Sequence, residues 1–105
     1  MGYAIRMTYA TALVLQALDG GHKYGFDIID ATRLRSGTVY PLLRRLEEAG
    51  LVRSKWENVS IARSSNRPPR RYYELTKSAD ELVLNAKARF PSLSSVPDVP
   101  RVSAT

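Results

Sequence analysis

Residues 36–52 read SGTVYPLLRRLEEAGLV, and this stretch decides the fold. Its apolar side chains recur at helical spacing and form one buried stripe, made of Val39, Leu42, Leu43, Leu46 and Ala49. Gly50 follows directly and supplies the left-handed residue at which many helices end. The pattern therefore predicts a helix over residues 36–49.

Two shorter amphipathic segments precede this helix. Residues 8–18 and 22–32 each place apolar side chains on one face, which predicts two further helices. Gly25, inside the second, is expected to allow the close approach of a neighbouring helix. Because residues 33–35 alone join the second helix to the third, the spacing is that of a helix-turn-helix.

A hairpin and a last helix are predicted after residue 50. Residues 51–57 and 70–75 have the alternation of strands, with Trp56 expected to pack into the core. The polar segment 58–69 between them is expected to be a long loop. A helix capped by Thr76 is expected to end at Pro91, and the Pro- and Ser-rich residues 91–105 are expected to be disordered.

These elements predict one mainly α-helical domain over residues 1–90. Its architecture is a winged helix-turn-helix, in which three N-terminal helices are followed by a two-stranded wing and a C-terminal helix. The charge of the chain fits such a domain, since 16 Lys and Arg stand against 10 Asp and Glu and give a net charge of +6. Residues 51–76 hold six cations and two anions, so most of this excess lies on the hairpin. A nucleic-acid partner is therefore favoured.

Composition excludes several other classes of protein. The chain has no cysteine and a single histidine, His22, so neither a disulfide framework nor a zinc site is expected. Its close carboxylate pairs lie on helix surfaces without a nucleophile or a phosphate-binding loop, so no enzyme and no cofactor are expected. The N-terminal apolar stretch lacks a cleavage site and is too short to span a bilayer, which predicts a cytoplasmic protein.

The exposed start of the third helix carries the candidate DNA-reading residues. Small side chains there allow close approach to base edges, and Arg44 can reach a guanine or a phosphate. The candidates are Ser36, Gly37, Thr38, Tyr40 and Arg44. For Tyr40, packing against the preceding helix is an almost equally supported alternative.

Four segments resemble PadR-like transcriptional regulators. They are YGFDII at 24–29, SGTVYPLLRRLE at 36–47, GLV at 50–52 and RPPRRYYELT at 67–76. The resemblance implies a repressor that binds double-stranded DNA as a homodimer. It also implies that Ser36, Gly37, Thr38 and Tyr40 face the DNA in the major groove, and that the segment 67–71 belongs to a wing (residues 58–71) that follows the phosphates and the minor groove.

Further cations are expected at the same surface. Arg67, Arg70 and Arg71 lie beside the two prolines of the wing and are predicted to contact phosphates. Arg33 and Arg35 occupy the turn of the helix-turn-helix, where small or polar residues are more usual in the family, and add two cations there.

The chain resembles the short members of the family, which lack a separate C-terminal dimerisation domain. The first and last helices are therefore expected to form the dimer through a second apolar strip, made of Tyr9, Ala12, Leu15, Leu84 and Ala88. A symmetric dimer predicts an inverted-repeat operator. Larger family members hold aromatic or drug-like ligands, so a small-molecule effector of unknown identity is a further candidate partner.

Two alternatives use the same fold for another partner. A winged helix that contacts only proteins is the main one, although such a module does not need a wing that is this basic. Double-stranded RNA is disfavoured, because the deep and narrow major groove of A-form RNA does not admit the third helix.

Overall fold

The computed structural model describes residues 5–91, which contain five α-helices and a two-stranded sheet. In chain order the elements are α1 (Tyr9–Asp19), α2 (Gly25–Thr32), α3 (Ser36–Glu48), β1 (Val52–Trp56), α4 (Val59–Ser64), β2 (Arg71–Leu75), a 3₁₀ turn (Lys77–Ala79) and α5 (Asp80–Arg89). The predicted fold class, mainly helical with one antiparallel hairpin, is confirmed. The tail expected to be disordered lies outside the described residues from position 92 onwards.

Helix α1 is the centre of the core. It packs against α2, α3, α5 and β2, so side chains on more than one of its faces are buried. Its neighbours contribute further fully buried side chains, among them Ile28, Val39 and Leu46. Ala12 and Leu15 have no exposed surface within a single chain. The expectation that these two residues meet a second chain is therefore wrong, because α1 is already covered by its own chain.

The boundaries of α1 and α2 follow from local hydrogen bonds. Thr8 caps α1, since its Oγ1 accepts a hydrogen bond from the backbone N–H of Thr11 at 3.1 Å. Helix α2 begins at Gly25 rather than at residue 22, because the chain before it runs alongside β2. There the N–H of Tyr73 donates to the carbonyl of Lys23 at 2.8 Å, and Tyr24 forms an isolated bridge with Tyr72.

The turn between α2 and α3 is held by a residue in the left-handed region. Arg33 has φ 63° and its N–H donates to the carbonyl of Ile29 at 2.8 Å. The Oγ1 of Thr32 donates to the carbonyl of Ile28 at 2.7 Å and accepts from the N–H of Leu34 at 3.3 Å. These contacts fix the angle between the two helices within three residues of chain.

Gly25 brings α2 and α3 together, as the sequence predicts. A Cβ atom on Gly25 would lie 2.3 Å from the hydroxyl oxygen of Tyr40 and 2.6 Å from the ring atom Cε1. The Tyr40 ring therefore fills the space that a side chain would occupy. It packs against the preceding helix and still keeps 41% of its surface exposed, so the two interpretations of this residue are compatible.

The hairpin pairs β1 with β2 in antiparallel register, from Val52 opposite Leu75 to Trp56 opposite Arg71. Its connection is not the loop expected over residues 58–69, because it contains α4. Asn58 caps this helix by accepting from the N–H of Ser60 at 2.7 Å. At its other end Asn66 adopts φ 57°, and the N–H of Arg67 donates back to the carbonyl of Ala62 at 3.1 Å, which is a Schellman motif.

Two further expectations about this region are corrected. Trp56 is 67% exposed rather than packed in the core, because it lies at the far end of β1, beyond the point where Val52 and Tyr73 are buried. Thr76 does not cap the last helix with its side chain. Its Oγ1 instead donates to the carbonyl of Gly50 at 2.7 Å, and a 3₁₀ turn precedes α5.

The Gly25–Tyr40 contact gives a stability prediction. Gly25→Ala forces the Tyr40 ring to move, so we expect it to destabilise the protein by about 1 kcal/mol or more in chemical denaturation. In a Tyr40→Ala background the same substitution is expected to be neutral or stabilising, since the space is then free. Gly37→Ala is the matched control, because nothing lies within 4 Å of its Cβ position. Equal effects of Gly25→Ala in both backgrounds would contradict the contact.

Candidate nucleic-acid interface

The N-terminal turn of α3 is uncovered. Ser36, Gly37 and Thr38 are all exposed, and Arg35 supplies no side-chain cap to the helix. The carbonyl of Arg35 accepts from the N–H groups of Thr38 at 2.9 Å and Val39 at 3.0 Å. The amides of Ser36 and Gly37 make no hydrogen bond with other described residues, so they are available to an anionic partner.

Arginines that form no ion pair with any described carboxylate surround this turn. Arg33 and Arg35 flank its beginning, and Arg44 and Arg45 follow on the next turns of α3. All four are exposed, and none takes part in an ion pair within residues 5–91. Their charge is therefore directed to the solvent and not neutralised inside the fold.

A shallow cleft separates α3 from the hairpin. Tyr40, Arg44 and Glu47 line one wall, because residues four and three apart share a face of a helix, and Arg71 and Tyr73 of β2 line the other. The sequence predicts Tyr40 and Arg44 as site residues, and the structure brings them together with Arg71 in this cleft.

A network of side chains fixes the hairpin to α3. The Oγ of Ser54 donates to Glu47 Oε2 at 2.7 Å. Arg71 donates from Nε and Nη2 to the same Ser54 oxygen, at 3.0 and 2.7 Å, and from Nη2 to Glu47 Oε1 at 3.2 Å. The positions of the two walls of the cleft are thereby linked.

Glu57 organises the far end of the hairpin. Its side chain is only 7% exposed and receives both Nη atoms of Arg67, with Nη2 at 2.7 Å from Oε2. Arg70 adds its backbone N–H, 3.3 Å from Oε1, and its guanidinium, 3.7 Å from Oε2. The guanidinium of Arg70 also lies over the ring of Tyr24, 3.9 Å from the centroid.

The electrostatics of Glu57 follow from these partners. The hydrogen bonds from Arg67 outweigh partial burial and lower the pKa of Glu57 from its ordinary value of 4.5 to about 2. The same contact raises the pKa of Arg67 above its ordinary value. Tyr73, on β2, has a raised pKa because burial disfavours the charged phenolate.

The wing arginines are thus less available than the sequence predicts. The guanidinium of Arg67 is 27% exposed and bound to Glu57, while Arg70 and Arg71, each about half exposed, also contact carboxylates. Two exposed cations of the hairpin that sequence reasoning missed, Lys55 and Arg63, make no ion pair within the described residues. The feature of the sequence that could have indicated which cations are paired is Glu57, an anion in a segment that consists mostly of cations.

The residues expected at a dimer interface divide into two groups. Tyr9, Leu84 and Ala88 are exposed, whereas Ala12 and Leu15 are not. Tyr9 packs edge-on against Phe90 at 5.8 Å between ring centroids, and Lys87 Nζ lies 2.9 Å from Asp19 Oδ2. These contacts join α5 to α1 and place the exposed apolar residues on neighbouring helices.

Two kinds of site are absent from residues 5–91. No helix in this range combines the length and the apolar composition that a membrane crossing requires. No cluster of three or more His, Cys, Asp or Glu side chains is placed to hold a metal ion there.

Glu57 gives a prediction about pH. Because its pKa is lower in the folded than in the unfolded chain, its contribution to stability is complete above about pH 4.5 and is lost as the pH falls towards 2. Glu57→Gln is therefore expected to lower the melting temperature at neutral pH, and the difference from the wild type should shrink below pH 4.5. Glu74→Gln, which removes an exposed pair to Arg53, should change the melting temperature much less. Identical melting curves for Glu57→Gln and the wild type at neutral pH would refute this role.

Comparisons with known proteins agree with this arrangement. The profile described as the transcriptional regulator PadR-like family matches residues 14–81. A PadR family transcription regulator from Clostridium difficile R20291 has 27% identity and a TM-score of 0.66, and the alignment covers 85% of this chain and 94% of that one. A PadR-like transcription factor from Bacteroides fragilis has 27% identity and a TM-score of 0.58, over 81% and 82% of the two chains.

A third solved structure shows the same fold at lower identity. It is BpsR of Bordetella bronchiseptica, whose DNA binding is regulated by 6-hydroxynicotinic acid, with 22% identity, a TM-score of 0.63 and coverage of 83% of this chain and 61% of that one. No curated protein matches the chain by sequence. The family profile spans more than half of the 105 residues. The chain therefore belongs to the PadR-like family of transcriptional regulators.

Proposed function

We propose that this chain is a cytoplasmic repressor that binds a specific double-stranded DNA sequence. Helix α3 enters the major groove, and the hairpin follows the phosphates and the minor groove beside it. The observation that carries this proposal is the uncovered first turn of α3. No atom lies within 4 Å of the Cβ position of Gly37, and the exposed arginines around it form no ion pair within residues 5–91.

Phosphate contacts in this proposal come first from the cations that the fold leaves unpaired. A guanidinium that already binds a carboxylate has to give up that contact before it neutralises a phosphate. Arg67 is the extreme case, since it is largely buried against Glu57. We therefore assign the main phosphate contacts to Arg33, Arg35, Arg44, Lys55 and Arg63, with Arg70 and Arg71 as secondary ones and Arg67 as a residue that holds the wing together.

Base readout is assigned to the exposed residues at the start of α3. Thr38 offers a hydroxyl and a methyl group in the first turn of the helix, and Ser36 and Gly37 leave room for base edges to approach. Tyr40 contributes its exposed edge from a position that Gly25 and α2 support. Base contacts specify the sequence, while the arginines hold the protein on any duplex.

A matched set of variants tests this division of roles. Arg63→Ala should weaken binding to operator and random duplexes alike and lower the slope of log K against log salt by about one. Thr38→Ala should leave that slope unchanged and reduce the preference for the operator, at about 1–3 kcal/mol. The measurement is fluorescence anisotropy of labelled duplexes over a range of salt concentrations, with an operator selected from a random pool.

Arg67→Ala serves as the structural control in the same assay. It should lower the melting temperature more than Arg63→Ala does, because it leaves Glu57 as a half-paired carboxylate in a buried place. A protein that binds no duplex at low salt, or that binds operator and random DNA equally well, contradicts the proposed function.

We further propose that the protein is a homodimer formed through α1 and α5. Tyr9, Leu84 and Ala88 supply exposed apolar surface on these two adjacent helices. Two-fold symmetry would place two copies of α3 about one turn of B-DNA apart, which matches an inverted-repeat operator.

Leu84→Glu tests the dimer. A charge at this exposed position cannot be buried against a second chain, so we expect sedimentation to show a monomer where the wild type is a dimer. Phe26→Glu is the matched control, since Phe26 is also exposed but lies on α2. The melting temperature of the monomer should show that the domain is still folded at low protein concentration. A wild type that sediments as a monomer at micromolar concentration would exclude this interface.

A further inference from the structure

Trp56 is the single tryptophan of the chain, and 67% of its surface is exposed. It stands at the end of β1, directly opposite Arg71 of β2. Large aromatic side chains carry much apolar surface and are enriched where proteins meet their partners. Trp56 does not contribute to the core, because the buried part of the two strands ends at Val52 and Tyr73.

The hairpin directs Trp56 towards the same side as α3. Side chains alternate along a strand, so Val52, Ser54 and Trp56 share one face of β1. On that face Val52 is buried and Ser54 donates to Glu47 of α3. Trp56 therefore continues the wall of the cleft that α3 and the hairpin form, beyond the point where the two elements touch.

Arg71 holds a cation beside the tryptophan ring. Its guanidinium carbon lies 6.0 Å from the centroid of Trp56 and 5.8 Å from that of Tyr73. The hydrogen bonds from this guanidinium to Ser54 and Glu47 keep it in place. The outer wall of the cleft thus alternates an aromatic ring, a fixed cation and a second ring.

We infer that Trp56 is a DNA-contacting residue, whose ring packs against a deoxyribose of the strand that runs between α3 and the hairpin. This inference rests on the proposed function and adds to it an apolar contact on the wing. The partner that fits is anionic, because Arg44 across the cleft and Arg63 on the connection of the hairpin form no ion pair within residues 5–91. It also has to offer an apolar surface between its charges, which the sugars of a DNA backbone do.

The single tryptophan makes this contact directly measurable. Acrylamide quenching of its fluorescence is recorded with the 105-residue chain, alone and saturated with the duplex selected from a random pool. We expect the quenching constant to fall severalfold on binding, because the ring becomes covered. Binding itself is followed separately by the anisotropy of the labelled duplex.

Variants test the contribution of the ring to affinity. Trp56→Ala should weaken binding about tenfold with no change of the salt slope, since the lost contact is apolar. Trp56→Phe should recover part of the loss. Phe26→Ala is the matched control, because Phe26 is also an exposed aromatic residue (75%) but lies on α2, outside the wing. Melting temperatures close to that of the wild type are expected for all three, as none removes a buried side chain.

Three results would overturn the inference. The first is a duplex that binds while Trp56 stays equally quenchable, which leaves the proposed function intact. The second is a Trp56→Ala variant that binds as tightly as the wild type and Phe26→Ala. The third is protection of the ring on raising the protein concentration without DNA, which shows that a second copy of the chain covers it. A labelled duplex that fails to bind at all refutes the proposed function instead.

Discussion

Crowded positive charge is the constraint on which the hairpin depends. Residues 51–76 carry six cations in a small space, and without opposing charge they would repel one another. Carboxylates offset this charge: Glu74 pairs with Arg53 on the surface, and two others link separate elements of the fold. Glu57 receives Arg67 and Arg70, and Glu47 of α3 receives Arg71. The first contact ties the wing tip to the strands, and the second ties the strands to α3, so the same pairs that relieve repulsion also set the geometry of the cleft.

Most of the fold could be predicted from periodicity, because α1, α2, α3 and α5 each have an apolar stripe at helical spacing. The failures have local causes. Helix α4 has six residues, too few to show a period, and it depends on a cap from Asn58 and a left-handed Asn66. The alternation of its strand predicts a buried Trp56, but alternation fixes a face of the strand and not how far the core extends along it. Ala12 and Leu15 lie off the main stripe of α1 and are buried because α1 is covered on several sides.

Part of the candidate site could likewise be predicted from the sequence, and part could not. The exposed start of α3 could be predicted, since the buried stripe leaves Ser36, Gly37 and Thr38 outside. Which arginines are free could not, because pairing depends on contacts across the hairpin: Arg67 meets Glu57 ten residues away, and Arg71 meets Glu47 twenty-four residues away. Composition counts all six cations equally. The three-dimensional structure separates those that hold the hairpin together from those that face outward.

The caps of α4 have a consequence for the thermodynamics of DNA recognition. A loop that orders only on meeting its partner loses conformational entropy at that moment, and this loss weakens the complex. In this hairpin the ordering has already happened during folding, through Asn58 at one end and the Schellman motif at the other. The wing is therefore preorganised, and its position relative to α3 is set before the protein meets DNA. In the proposed complex it is then the duplex that changes its shape to fit both α3 and the wing. Operators would differ in affinity according to how readily their central base-pair steps bend.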